Sequence, residues 1–336
     1  MIRNKIKKPE FYRDFMSEGF FANANKIIKY QESSNYWIFK TGKKVYKIKK
    51  KTTAQNAIAL DEIFCKEIVS SQIQHSPELE TELLFIREEN GRFVVDRDNK
   101  KTPRYCGIVM NQLTERYFLD VIIGKKKVTK KMIALTAEFL LRLHKLTPVA
   151  TFKEEGTPEQ LHSILQDLIY QSKKYLGQTM SQAVIDMILR PLEKFLTDHR
   201  KLFLKRIRKG YVKKVHGCFI PKKINIHKGS VNVLSRSSDQ LKNRFSDVAS
   251  DVADLVVELN QADQKELADF LAKTYSHIGG DKEIKQLLPF YRAMRCLNLG
   301  NKHSVTMRSS SKQQALIHQS RAKKYYEQII DIVHKL

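Results

Sequence analysis

The chain has 336 residues, of which 42% are hydrophobic, enough to bury a sizeable core and to exclude global disorder. No stretch approaches the ~20 apolar residues of a membrane helix. Pro9, Glu10 and Arg13 interrupt the basic N-terminus before any signal-like run, so a cytoplasmic chain is expected, with delivery elsewhere left open. The formal charge of +25 favours acidic partners such as nucleic acid, an anionic membrane surface or phosphorylated ligands. The lysines are spread over many segments, however, so a lysine-biased surface is favoured over a dedicated nucleic-acid site. The cysteines, Cys65, Cys106, Cys218 and Cys296, form no Cys-x-x-Cys pair, which suits a reducing compartment and argues against structural zinc.

Residues 1–30 are a basic, partly aromatic lead-in containing Phe11, Tyr12, Phe15, Phe20 and Phe21. Residues 35–39 and 44–49 read as strands around a turn at Thr41-Gly42-Lys43. Strand alternation puts Val45, Lys47 and Lys49 on one face and Tyr46 and Ile48 on the other. If Tyr46 and Ile48 enter a core, Val45 and Lys47 face outward, Lys47 as a ligand-facing cation or as one more exposed lysine. Residues 54–74 read as a helix with Ile58, Ile63, Phe64, Ile68 and Ile73 near helical spacing. Glu62 and Glu67 lie on it, either to ion-pair with Lys47 or to sit on a solvated face. Strands at 83–87 and 92–95 flank a turn at Asn90-Gly91, and 105–110 reads as a buried strand.

From Thr129 the texture turns helical, over 132–144, 160–176, 180–204, 261–275 and 286–303. After Ser309-Ser310-Ser311, the spacing of Ala322, Tyr325, Tyr326, Ile329, Ile330 and Val333 gives a last amphipathic helix, read as packing on the core. The central stretch is 214–251. Val215-His216-Gly217 leads into Ile224-Asn225-Ile226 and Val231-Asn232-Val233-Leu234, joined by a tight-turn signal at Lys228-Gly229. A polar loop follows, and Asp247-Val248-Ala249-Ser250-Asp251 reads as the start of a buried helix.

Taken together, several stretches resemble the aminoglycoside-phosphotransferase-like branch of the protein kinase-like fold, in a form often found in longer bacterial proteins. They are Pro9-Glu10-Phe11-Tyr12, Trp37-Ile38-Phe39, Val45-Tyr46-Lys47-Ile48, Phe64-Cys65-Lys66-Glu67, residues 206–211, His216-Gly217, residues 247–251 and residues 288–293. The resemblance implies a two-lobed α+β chain. Residues 1–113 would be a small, mainly β N-lobe with one helix, with 111–114 as its hinge. Residues 114–303 would be a larger helical C-lobe, and 304–336 a C-terminal helix packed on it. It also implies an ATP-binding cleft with Val45, Met110 and Gln112 around the base, Lys47 on the phosphates, and Glu67 as the partner of Lys47.

The family's catalytic loop reads His-Gly-Asp-x-His-x-x-Asn. Laid on this chain from His216, it puts Cys218 at the catalytic Asp and Lys223 at the metal-binding Asn, and the later metal-binding Asp falls on Ser235. Phosphoryl transfer needs a divalent cation bridging phosphates, and oxygen-poor positions hold Mg²⁺ badly. Asn225 or Asp239 enters only if the hairpin register slips. Cys218 reads as a packed thiol and His216 as a loop-bracing group. The leading expectation is therefore a pseudokinase, a regulatory module binding a protein or an anionic ligand. The alternatives are an active ATP-dependent phosphotransferase or nucleotidyl transferase with non-standard metal ligands, and a nucleic-acid binder.

Overall fold

Six short runs of β-branched and aromatic residues pair into one antiparallel sheet. They are β1 (Lys29–Glu32), β2 (Tyr36–Lys40), β3 (Lys44–Lys49), β4 (Glu82–Glu89), β5 (Arg92–Asp96) and β6 (Tyr105–Asn111), in the order β1-β2-β3-β6-β4-β5. The structure is a computed structural model and describes residues 8–17, 29–33, 35–50, 57–96, 102–151, 154–235 and 245–336. The chain divides into two units, Met1–Tyr117 with Asn232–Gln240 and Phe118–Val231 with Leu241–Leu336.

In the N-terminal unit both faces of the sheet are covered. On one face Phe11 and Phe15, beside and within the short helix α1 (Tyr12–Met16), pack on Phe39, Tyr46, Ile48, Leu84, Ile86 and Tyr105. On the other face helix α2 (Ala57–His75) sets Cys65 and Ile68 against Val45, Phe85, Cys106, Ile108 and Met110. The expectation that Val45 faces outward is thus corrected, because α2 lies on that side and leaves Val45 only 7% exposed. The inward stripe of α2 is Asp61, Cys65, Ile68 and Gln72, spaced for one helix face, while Ile63 (53%) and Ile73 (50%) face solvent. With isoleucines on several faces, apolar spacing alone could not phase this helix. At Gly107 the neighbouring strand comes so close that a Cβ would lie 2.6 Å from the Lys47 carbonyl oxygen.

The C-terminal unit is built from α3 (Leu119–Gly124), α4 (Lys130–Leu146), α5 (Pro158–Lys173), α6 (Gln182–Asp198), α7 (Arg200–Arg208), α8 (Ala249–Gln261), α9 (Lys265–Gly279), α10 (Ile284–Arg308) and α11 (Lys312–Val333). Thr129, Thr157 and Ser181 cap α4, α5 and α6 by accepting N–H bonds three residues on. The single helix expected over 180–204 is two helices. They part at His199, whose ring stacks 3.9 Å from Phe195 and whose Nδ1 meets the Phe195 carbonyl.

Two small ladders complete the chain, β7 (Val212–Lys214) with β10 (Phe245–Asp247), and β8 (Ile224–His227) with β9 (Ser230–Val233). Lys228 (φ 49°) and Gly229 (φ 80°) both take positive φ, as a type I′ hairpin turn requires. Arg206 of α7 is fully buried and makes bidentate bonds to both Asp247 and Asp281, over the ring of Tyr211 at 4.2 Å. Asp247 also caps Ala249 and Asp281 caps Ile284, so this one clamp fixes the starts of α8 and α10.

Candidate functional site

In the N-terminal unit Lys47 stands mid-sheet in a row Ile38–Lys47–Ile108–Leu83 on the α2 face. Val45 and Met110 are direct cross-strand partners, buried in the cluster beneath α2. Gln112 continues the β3–β6 pairing: its N–H donates to the Lys43 carbonyl (2.7 Å), and its side-chain oxygen accepts the Gly42 N–H (3.1 Å). Within 111–114, the Gln112 amide is therefore used by the turn between β2 and β3. Glu67 is half-buried on α2, and Glu62 ion-pairs with Lys66 at 2.7 Å.

Sequence reading put a second lysine on the same face but gave it no role. Lys49 is 8% exposed, its ammonium 5.5 Å from the centroid of its cross-strand partner Tyr36 and 6.0 Å from that of Phe64. Burial drives the Cys65 thiol far up, with Cys106 and Asp61 adding to the rise and Lys49 opposing it. Gln72 was missed. Its amide donates to the Val233 carbonyl (2.8 Å) and accepts the Ser235 N–H (2.8 Å), while Ser76 Oγ accepts the Val233 N–H (2.9 Å). Gln72 thus imitates a strand neighbour and fixes the backbone that carries Ser235.

In the C-terminal unit the loop after β7 is shaped by two carboxylates of α8. Asp251 accepts the N–H groups of His216 and Gly217, each at 2.7 Å, and the His144 Nε2–H at 3.0 Å. His144 Nδ1 in turn accepts from Tyr275 Oη at 2.7 Å. Burial alone would raise the Asp251 carboxyl; the hydrogen bond from His144, the nearby His216 and the Gly217 N–H outweigh it and hold the group below the usual carboxylate range. One turn on, Asp254 accepts the Phe219 N–H at 3.0 Å and lies 3.1 Å from Arg295 Nε. Burial pushes Asp254 up to about 6, with Arg295 pulling it down and Asp251 pushing it further up.

Cys218 differs from its reading as a packed thiol. It is partly exposed, whereas Cys65, Cys106 and Cys296 are buried, and it lies in hydrogen-bond reach of Arg295. His216 is buried, its ring edge-on to Phe219 at 5.7 Å. Lys223 ends a short 3-10 turn (Pro221–Lys223), and Asn225 is buried in β8 opposite Phe118. Asp239 lies outside the described residues.

Among the described residues the loop at 216–223 offers a magnesium ion no carboxylate of its own. Asp251 and Asp254, the carboxylates bonded to this loop, already serve backbone donors and His144 or Arg295, and the loop itself offers Lys222 and Lys223. Among the described residues no three His, Cys, Asp or Glu side chains come together to hold a metal. Among them, too, no helix is long and apolar enough to cross a membrane.

A six-stranded antiparallel sheet with a long helix after its third strand, followed by a helical unit that carries the loop-hairpin-helix stretch, defines the protein kinase-like α+β fold in its aminoglycoside-phosphotransferase form. Among solved structures, a choline/ethanolamine kinase family protein from Mesorhizobium loti matches with a TM-score of 0.56 at 12% identity, over 94% of this chain and 95% of that one. The GDP complex of aminoglycoside 2′-phosphotransferase-IIIa matches with a TM-score of 0.53 at 11% identity, over 96% and 99%. ADP-bound aminoglycoside phosphotransferase APH(2″)-Ib gives 0.51 at 14% identity, over 92% and 95%. At such identities the likeness is one of fold. No protein-family model and no curated protein matches the sequence.

Proposed function

We propose that the chain is a pseudokinase, a nucleotide-responsive binding module that has lost standard phosphotransfer. The observation that carries this reading is the state of the loop at 216–223. Its backbone is held by Asp251 and Asp254, and the resemblance puts Cys218 and Lys223 where chemistry would need a base and a metal ligand. Replacing a positioned base typically costs ~10²–10⁴ in rate. A cation at a metal-ligand position repels the metal more strongly as the site dries. Solved structures of the same fold in complex with GDP, ADP and AMP-PNP support a nucleotide as the ligand class. In this chain Lys47 would meet the phosphates.

The test is a thermal shift with ATP, with and without Mg²⁺, on wild type and Lys47→Ala. Saturation at a hundred times Kd adds about 2.7 kcal/mol, roughly 4 °C for a chain of this length. A metal-independent shift that disappears in Lys47→Ala supports the reading. A shift that requires metal, together with ATP turnover, replaces it with an active phosphotransferase using unusual ligands. No shift removes the nucleotide from the proposal.

A further inference from the structure

Five lysines fall within seven residues between α3 and α4: Lys125, Lys126, Lys127, Lys130 and Lys131. No acidic residue stands between Asp120 and Glu138, and all five lysines are exposed. The chain itself holds them together, on an ordered turn. The N–H groups of Lys126 and Lys127 return to the Ile123 and Ile122 carbonyls at 2.8 and 3.0 Å. Lys126 takes a left-handed φ of 55°, a conformation that helix ends usually give to glycine. Lys130 and Lys131 open α4, where the helix dipole opposes cations, and its first turn holds no acidic residue. In α7, also strongly basic, Arg200, Lys205 and Arg206 are by contrast engaged within the fold by Glu159, Glu283 and two aspartates.

Crowded like charges, a glycine-type φ and cations at a helix N-terminus each run against local preference, and such conflicts are expected where function demands them. The charges repel one another until an anionic surface meets them. The chemistry of the run selects which surface. All five cations are lysines, compact point charges without the planar fork that reads single phosphates or base edges. Residues 124–132 carry no aromatic ring on which a base could stack. Apart from the half-buried Val128, every residue from Gly124 to Lys131 is exposed, so the run stands on a protruding turn and not in a groove. A plane of anionic headgroups asks only for closely set cations. We propose that residues 124–131 are a docking surface for an anionic lipid bilayer. With no exposed apolar side chain in the run, the attachment is electrostatic, without insertion. It uses none of the residues assigned to the nucleotide and stands without that reading.

Co-sedimentation of the full chain with vesicles of about one-third phosphatidylglycerol in phosphatidylcholine, at about 0.1 M salt, tests this. One variant combines Lys125→Gln, Lys126→Gln and Lys127→Gln. The charge-matched control combines Lys145→Gln, Lys282→Gln and Lys285→Gln, all at exposed positions. These lie toward the other end of α4: Lys145 is about 20 Å from Lys131 along that helix, and Lys282 follows Gly279, which faces Leu141. Matching circular dichroism confirms folding. Each lysine at an anionic surface multiplies the partition about fivefold. The expected result is binding that needs phosphatidylglycerol and weakens at least ~30-fold in the first variant, against less than ~3-fold in the control. Absence of binding to the anionic vesicles, or equal losses in the two variants, overturns the proposal. A duplex oligonucleotide that strips the chain from the vesicles at equal phosphate concentration also overturns it, in favour of a nucleic-acid surface.

Discussion

Asp251→Ala is the sharpest test of how the loop is held. The substitution takes one acceptor from each of three donors, the buried His216 N–H and the half-buried Gly217 N–H at 2.7 Å and the buried His144 Nε2–H at 3.0 Å. Orphaning a buried donor that met a charged acceptor costs about 1.5–3 kcal/mol, and His144 recovers part of its share through the opposite tautomer. The sum is about 4–6 kcal/mol, a large fraction of a typical folding free energy. Urea unfolding followed by far-UV circular dichroism reads mainly the helices of the C-terminal unit. Fluorescence of the single tryptophan, Trp37, reads the N-terminal sheet. The sign with pH is fixed as well. Because the folded-state pKa of Asp251 is depressed, its contribution is complete above the unfolded carboxyl value of ~4 and is lost as pH falls through the folded value. The gap between wild type and variant therefore closes in acid. A loss below about 1 kcal/mol at pH 7, or a gap that widens toward pH 3, would refute the reasoning.

Gly300→Ala, which in an open helix would gain about 1 kcal/mol, should instead lose ~1–3 kcal/mol, read as a lower Tm. The new methyl would lie 2.3 Å from Tyr326 Cε1, and the Tyr326 hydroxyl is anchored on Asn301 at 2.9 Å. Arg206→Met strands Asp247 and Asp281 and should cost about 3–5 kcal/mol at neutral pH. That deficit grows as pH rises, because the unpaired carboxylates are easier to keep protonated in acid, and a denaturation series across pH checks it. Burial holds His303 down at about 4, with His318, Arg321, Lys302 and Lys222 adding to the effect. Its contribution is therefore present above the unfolded value of ~6.5 and lost as pH falls toward 4. His303→Gln should flatten that part of the stability curve.

Local signals made much of the fold readable. Lys228-Gly229 between two alternating runs gave the hairpin, and Tyr46 and Ile48 do enter a core. The faces of α2 were not readable, because its inward stripe includes Asp61 and Gln72, residues whose burial depends on partners elsewhere in the chain. The break at His199 carries neither glycine nor proline and comes from a side chain bonding its own helix. At the site, the resemblance singled out Cys218, Lys223 and Ser235, but what holds that backbone was not legible: His144 is 107 residues from Asp251, and Gln72 is 161 from Val233. Asp251 and Asp254 do share one face of a buried helix, three residues apart, and that spacing was the available signal for Asp254.

The carboxylates of α8 grip peptide N–H groups, which every residue type except proline provides. The conformation of residues 216–219 is thereby stored in a neighbouring helix and is largely indifferent to which side chains the loop displays. The side chain at position 218 can therefore be exchanged with the scaffold still presenting that position in the same way, and the loop becomes a place where ligand preferences can be altered one side chain at a time.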